Sequence, residues 1–280
     1  MTVKVKVLKD SLHPENLNNP LSRLVTLQVE YPRFFHSEVM THRSLSKNFS
    51  SSRAIPFNKK LQQMREDLAI PRRFGANKPG MVMSEDVDQL QAELIWRTAF
   101  FEVSNRASQL NNMSVHKTLP NRLLEPFSHI TGVITGEMNG WLNFLKLRLS
   151  PDADENIRLL AQEILKAIKS STSTGNEWHL PFIDYDEYHL PIGTQIGMSV
   201  ARCARVSYMN HGKTERSIED DLSLYEKLKT SGHFSCFEHI NHFKKTNRVT
   251  NFQFWEQHRV EVDNITKNEE GLKKLYFELF

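Results

Sequence analysis

The sequence predicts an α+β fold, on two observations. Short stretches near the N-terminus alternate apolar with polar side chains, the period of a half-buried strand: Val3, Val5 and Val7, then Val25, Leu27, Val29 and Tyr31. Longer stretches further on repeat their apolar residues at helical spacing, from 84 to about 110, from 157 to 168 and from 218 to 228. A chain of 280 residues, 39% hydrophobic and 25% charged, has the composition of an ordinary globular protein and the length for one large core or two modest ones.

In chain order, residues 3 to 8 form the first strand, the PENLNNP stretch ending at Pro20 is a loop, and residues 24 to 31 form the second strand. Pro32 opens a short helical stretch with Phe35 and Val39 one turn apart. From Ile55 to about Met83 the chain carries Pro56, Pro71 and Pro79 among irregular basic segments, helical in period only over Lys60 to Leu68, as expected of a surface excursion or lid. Ser84 then reads as the N-cap of a long helix whose buried face is Val87, Leu90, Leu94 and Phe101. The segment 115 to 132 mixes His116, Lys117, Arg122 and Glu125 with apolar residues and reads either as a helix with one solvated face or as part of a site. Ile157, Leu160, Ala161, Ile164 and Ile168 line an amphipathic helix, which the polar run SSTSTGN, 170 to 176, ends. Ser217 with Asp220 has the pattern of a capping box for a helix that buries Ile218, Leu222, Tyr225 and Leu228.

A net charge of +3 suits anionic small molecules and lacks the basic bias of a nucleic-acid surface, so no nucleic-acid partner is expected. No apolar run reaches the length of a membrane span, and MTVKVKVLKD alternates Val with Lys instead of building a signal-peptide core. A cytoplasmic protein with no membrane partner is expected. Cys203 and Cys236 show neither metal spacing nor a disulfide framework and read as free packing thiols. His233, Glu238, His239 and His242 lie close in sequence, but no zinc motif is complete, and no metal is expected.

The functional centre is THRSLSKNFSSSR, residues 41 to 53. His42, Arg43, Asn48 and Arg53 stand there with Ser44, Ser46, Ser50, Ser51 and Ser52 and almost nothing to build a core. Such a run serves either as a solvated loop or as a site for an anion, which Arg forks, hydroxyls and backbone N–H groups together bind. A strand and a helix delivering it favour the site.

The spacing His42-Arg43, seven residues, Ser51, one residue, Arg53 resembles a signature of the flavin-dependent thymidylate synthases (ThyX-like), which runs Arg-His-Arg, seven residues, Ser, and Arg two further on. Asn143-Phe144-Leu145-Lys146-Leu147-Arg148 resembles the family's Asn-Phe-Leu-x-Leu-Arg run. ARVSY at 204 to 208, a helix, and then Gly232-His233-Phe234-Ser235-Cys236-Phe237-Glu238-His239 resemble its N-terminal block, which here stands last. The resemblance therefore implies a single catalytic domain over 1–280, circularly permuted, with segments 1–169 and 177–280 joined by the polar linker 170–176, and a sheet of antiparallel or mixed strands with long helices.

It further implies one-carbon transfer to C5 of a pyrimidine deoxynucleotide monophosphate, dUMP to dTMP, using FAD, NADPH and methylenetetrahydrofolate, in a homotetramer that shares its sites. By position Ser51, Ser52 and Arg53 would hold the nucleotide, with Arg53 on its phosphate and Glu38 and His116 beside it. Arg148 would face the pyrimidine, where a fixed cation stabilises charge on a ring oxygen, making Ser51 and Arg148 the catalytic pair. His42, Arg43, Asn48, Asn143, Ser207, His233, Ser235 and Glu238 would line the flavin. Departures from the pattern are Thr41 for Arg, Phe49 for Glu, Glu38 for Gln, and Glu137 and Asn139 roughly where Asn and Arg are expected. A carboxylate accepts from the exocyclic amine of cytosine and offers nothing to a uracil oxygen. If Glu38 or Glu137 faces the ring edge, a dCMP methylase or hydroxymethylase is the alternative; a catalytically silent nucleotide- or flavin-binding homologue is another.

Overall fold

The computed structural model describes residues 2–77, 87–206, 217–243, 250–263 and 269–279. Strand β1 (Lys4–Leu12) runs antiparallel to β2 (Leu24–Pro32), followed by the short helix α1 (His36–Met40), the edge strand β3 (Ser46–Phe49) and helix α2 (Phe57–Glu66). Helices α3 (Gln89–Asn112) and α4 (Thr118–Leu123) lead into β4 (His129–Glu137), then α5 (Met138–Arg148) and α6 (Glu155–Ser170). After these come β5 (Thr174–Gly175), β6 (Trp178–His179), α7 (Ile192–Arg205), α8 (Ile218–Thr230), β7 (Asn241–His242), β8 (Glu256–Gln257), α9 (Arg259–Val262) and α10 (Glu269–Leu279).

The main sheet is mixed, in the order β3-β4-β2-β1-β5, antiparallel except where β5 lies parallel to β1. A small antiparallel sheet joins β6, β7 and β8. Alternation in β2 aims Val25, Leu27, Val29 and Tyr31 at one face, where they pack with Trp141, Phe144 and Leu145 of α5 and with Ile157, Leu160, Ala161, Ile164 and Ile168 of α6. Glycine at 132 is required there: a Cβ would lie 2.1 Å from the Phe49 ring, which occupies that space and meets Tyr31 edge-on at 5.8 Å. Phe49 thus fills core.

The opposite face carries a buried polar chain. Ser11 Oγ lies 2.9 Å from His179 Nδ1, His179 Nε2 2.7 Å from Thr26 Oγ1, Thr26 2.6 Å from Thr135, and Thr135 2.8 Å from His239 Nδ1. Burial holds the His179 imidazole well below its ordinary range and lowers His239 to about 3, so both are neutral. The chain fastens the sheet to the C-terminal unit, in which Leu180, Ile196, Met198, Val200, Cys203, Cys236, Phe237 and Ile240 form a second core. Ser217 and Asp220 make the reciprocal cap of α8, at 3.2 and 3.3 Å.

Two expectations from sequence are corrected. In α3 the apolar face read as buried is open, with Leu90 84%, Leu94 64% and Phe101 64% exposed, while Trp96, Phe100, Val103 and Ala107 pack with Phe57, Leu61 and Met64 of α2 and with Leu124 and Phe127 just after α4. The helix is apolar on two faces, and helical spacing alone does not say which is covered. Its start is capped by Asp88, which accepts from Gln91 N–H at 3.0 Å; Ser84 lies outside the described residues. Segment 115–132 is not one helix: α4 ends at Leu123 and β4 begins at His129. Beyond His129 every residue of β4 is buried, because both sheet faces are covered, and the alternation that marks an open strand is lost. Among the described residues no helix is long and apolar enough to cross a membrane.

Candidate functional site

The 41–53 run turns out of α1, becomes edge strand β3 on β4, and leaves as a turn that α4 holds. His42 is buried edge-on against Phe144, at a ring separation of 4.7 Å. Its Nε2 accepts from Arg148 Nε at 2.9 Å, which requires a neutral ring protonated at Nδ1. Burial, then the charges of Arg148 and Lys47, pull it down to about 4. The rest of the Arg148 fork is fixed from α1: one nitrogen donates to Glu38 Oε2 at 3.0 Å, the other to the Glu38 carbonyl at 3.4 Å and Thr41 Oγ1 at 3.3 Å. A guanidinium is thereby locked in one orientation at the C-terminal end of α5.

Lys47, which the sequence reading passed over, donates to the His42 carbonyl; burial lowers its ammonium to about 8, against the pull of Glu238. Beyond it, Asn48 Nδ2 donates to the Cys203 carbonyl at 3.1 Å and its Oδ1 accepts from Ser235 at 3.4 Å. Ser46 Oγ accepts from Gln257 at 2.7 Å and Asn251 at 3.0 Å. The C-terminal block is therefore seated on β3.

The nucleotide-binding candidates lie at the far end of the same strand. Ser51 and Arg53 are exposed, and Arg53 N–H lies 3.5 Å from Ser51 Oγ. Buried Ser52 donates to Glu125, which pairs with Arg33 at 3.1 Å, and Asn121 Nδ2 donates to the carbonyls of Ser52 at 2.7 Å and Ile55 at 2.9 Å. Asn121 and Glu125 position this turn. Their trace in the sequence was the charge mixed into 115–132; their partners, more than sixty residues away, left none. His116 is exposed, its Nδ1 3.4 Å from Thr118 N–H at the start of α4.

Of the other expected residues, Arg43 and Asn143 are exposed with no side-chain hydrogen bond among the described residues, and exposed His233 bonds Ser231 at 2.9 Å. Glu238 pairs with Arg259. Ser207 lies outside the described residues. Arg43, Asn143, His233 and Ser235 offer donors suited to a pyrophosphate and to the polar edge of a flavin, and in that respect the set fits. Buried His42 has its Nε2 occupied by Arg148.

Glu137 does not face a base. Only 1% exposed, its carboxylate accepts backbone N–H groups from Gln253 at 2.6 Å, Phe254 at 2.5 Å and Trp255 at 3.0 Å, so it clamps the 253–255 segment to the end of β4. Of the two carboxylates considered for base recognition, Glu38 remains. The C-terminal histidines are also engaged, His239 with Thr135 and His258 with Glu261 at 2.6 Å.

A model of the family described as thymidylate synthase complementing protein matches residues 23–172, which include Glu38, the 41–53 run, Glu125 and Arg148. Among solved structures, the UMP/dUMP methylase PolB from Streptomyces cacaoi bound with 5-Br dUMP is 17% identical, with a TM-score of 0.48 over 60% of this chain and 90% of that one. Thymidylate Synthase X from Helicobacter pylori with FAD and dUMP is 17% identical, with a TM-score of 0.39 over 52% and 67%. No curated protein matches the chain.

Proposed function

Because the chain belongs to the thymidylate synthase complementing protein family, we propose that it transfers one carbon to C5 of a pyrimidine deoxynucleotide, dUMP to dTMP, with FAD, NADPH and methylenetetrahydrofolate. The observation that carries this reading is the Arg148 guanidinium, held by Glu38 of α1 and by Thr41 and His42, where the run begins that continues through β3 to Ser51 and Arg53. Exposed Arg53 binds the phosphate, Ser51 donates to the nucleotide, and His116 approaches from the start of α4. Arg148 presents a fixed cation to the pyrimidine, where orientation set in advance stabilises charge developing on a ring oxygen. Bound FAD supplies hydride transfer from NADPH, and Arg43, Asn48, Asn143, His233, Ser235 and Glu238 line its pocket. His42 keeps Arg148 aligned.

The contact of Asn48 with Cys203 and Ser235 supports reading the C-terminal block as the family's N-terminal block, moved by circular permutation with 170–176 at the join. That block lies outside the matched residues. The open apolar face of α3 is the surface through which copies assemble as a homotetramer, and sedimentation of the purified protein tests that state.

Glu38 favours a second reading. It is a half-buried carboxylate beside the arginine assigned to the pyrimidine, and such a group accepts from the amine of cytosine. Protein loaded with FAD is incubated with NADPH, methylenetetrahydrofolate and either dUMP or dCMP, and the nucleotides are weighed by mass spectrometry. Gain of one methyl group by dUMP supports the first reading. Faster modification of dCMP, by methyl or hydroxymethyl, moves the substrate to cytosine. A protein that binds FAD and nucleotide and changes neither is a silent homologue.

A further inference from the structure

We infer that the Lys47 ammonium binds an oxyanion of the ligand, either the nucleotide phosphate or the flavin pyrophosphate, between the turn at His42 and the 3-10 turn Phe234–His239 that carries Glu238. This rests on the proposed function and adds a residue that lies in the seven-residue spacer of the first motif and that no motif specifies. An ammonium carries three donors. One goes to the His42 carbonyl, and among the described residues no carboxylate lies within ion-pair distance of the group. The neighbouring cations are matched: Arg148 from α5 with Glu38 of α1, and Arg259 of α9 with Glu238. The remaining groups that face Lys47 are His42 in the turn before β3 and His36 of α1, both neutral rings, and Glu238, which acts through space without contact. A half-buried, unmatched ammonium is unfavourable unless something anionic completes it; its lowered pKa, about 8, expresses that strain. A phosphate oxygen takes the two remaining N–H groups and removes it.

Because the group titrates near 8, its charged fraction falls from about nine-tenths at pH 7 to about one-tenth at pH 9. A phosphate monoester loses its second proton near about pH 6, so the phosphate charge is nearly constant over that range, and any ionisation of the base acts alike on all three proteins. The test is calorimetric titration of the whole protein with dUMP and, separately, with FAD at pH 7, 8 and 9, for the wild type, Lys47→Arg and Lys47→Gln, each checked for an intact thermal transition. The Kd for one ligand is expected to rise about tenfold from pH 7 to pH 9 in the wild type. It stays low and flat in Lys47→Arg, and is weak at every pH in Lys47→Gln. The ligand that responds names the oxyanion. Equal, pH-flat affinities in all three folded proteins overturn the inference and leave the proposed function standing, as does a pH dependence that survives in Lys47→Gln. A wild type that binds neither ligand overturns both.

Discussion

Replacing Glu137 by Gln keeps the shape of the side chain and removes its charge. In the native protein Oε1 accepts from Phe254 and Trp255 and Oε2 from Gln253, all inside a site only 1% exposed. The amide can keep its oxygen on two of these N–H groups, but its NH2 then faces the third, donor against donor. Hydrogen bonds to a buried charge contribute about 1.5–3 kcal/mol each, and an orphaned buried donor costs about 1–3 kcal/mol. Glu137→Gln should therefore destabilise by about 2–4 kcal/mol, and Glu137→Ala, which orphans all three, by more. For a chain of this size that is a fall in Tm of about 5–12 °C. Thermal unfolding followed by circular dichroism measures it, and tryptophan emission should shift to longer wavelength as Trp255 is released. A change in Tm below about 1 °C, together with an altered choice of nucleotide, would refute the clamp and return Glu137 to the base.

Other outcomes follow from the same geometry. Arg148→Lys keeps a charge but loses the fork held by His42, Glu38 and Thr41; kcat for nucleotide modification should fall about 100-fold or more with the fold intact, and near-normal kcat would remove Arg148 from the chemistry. His42 and His239 have folded pKa values of about 4 and about 3, below the 6.5 of a free histidine, so the unfolded chain takes up protons that the folded one refuses. Their contribution is complete above pH 6.5 and drains away as pH falls toward 4; a Tm unchanged between pH 7 and 5 would contradict their burial as neutral rings. Burial pushes the Cys236 thiol up to about 12 and the Cys203 thiol well above its usual range. Neither should react with a thiol reagent at pH 8 until denaturant is added, and fast labelling of the native protein would refute that.

What the sequence made legible was whatever carried its own periodicity or cap. Val25 to Tyr31 alternates because one sheet face meets α5 and α6, and Ile157 to Ile168 keeps helical spacing because one stripe of α6 lies on that sheet. The Ser217 and Asp220 cap is local and was readable directly. By contrast β4 is buried on both faces and left no alternation, so this inner strand of the sheet was missed. Site residues were visible as types in a run, yet their jobs depend on partners far along the chain. His42 accepts from Arg148, and Glu137, weighed as a base contact, clamps 253–255. No spacing rule connects positions more than a hundred residues apart.

The measurement that bears most directly on the central claim is the visible absorbance of the purified protein with added FAD, followed under anaerobic conditions after NADPH is mixed with dUMP or with dCMP. Bound-flavin bands that bleach faster with one of the two nucleotides than without either are predicted, and the nucleotide that accelerates them is the substrate. A protein that takes up no FAD, or whose flavin reduces at one rate whatever nucleotide is present, contradicts the account.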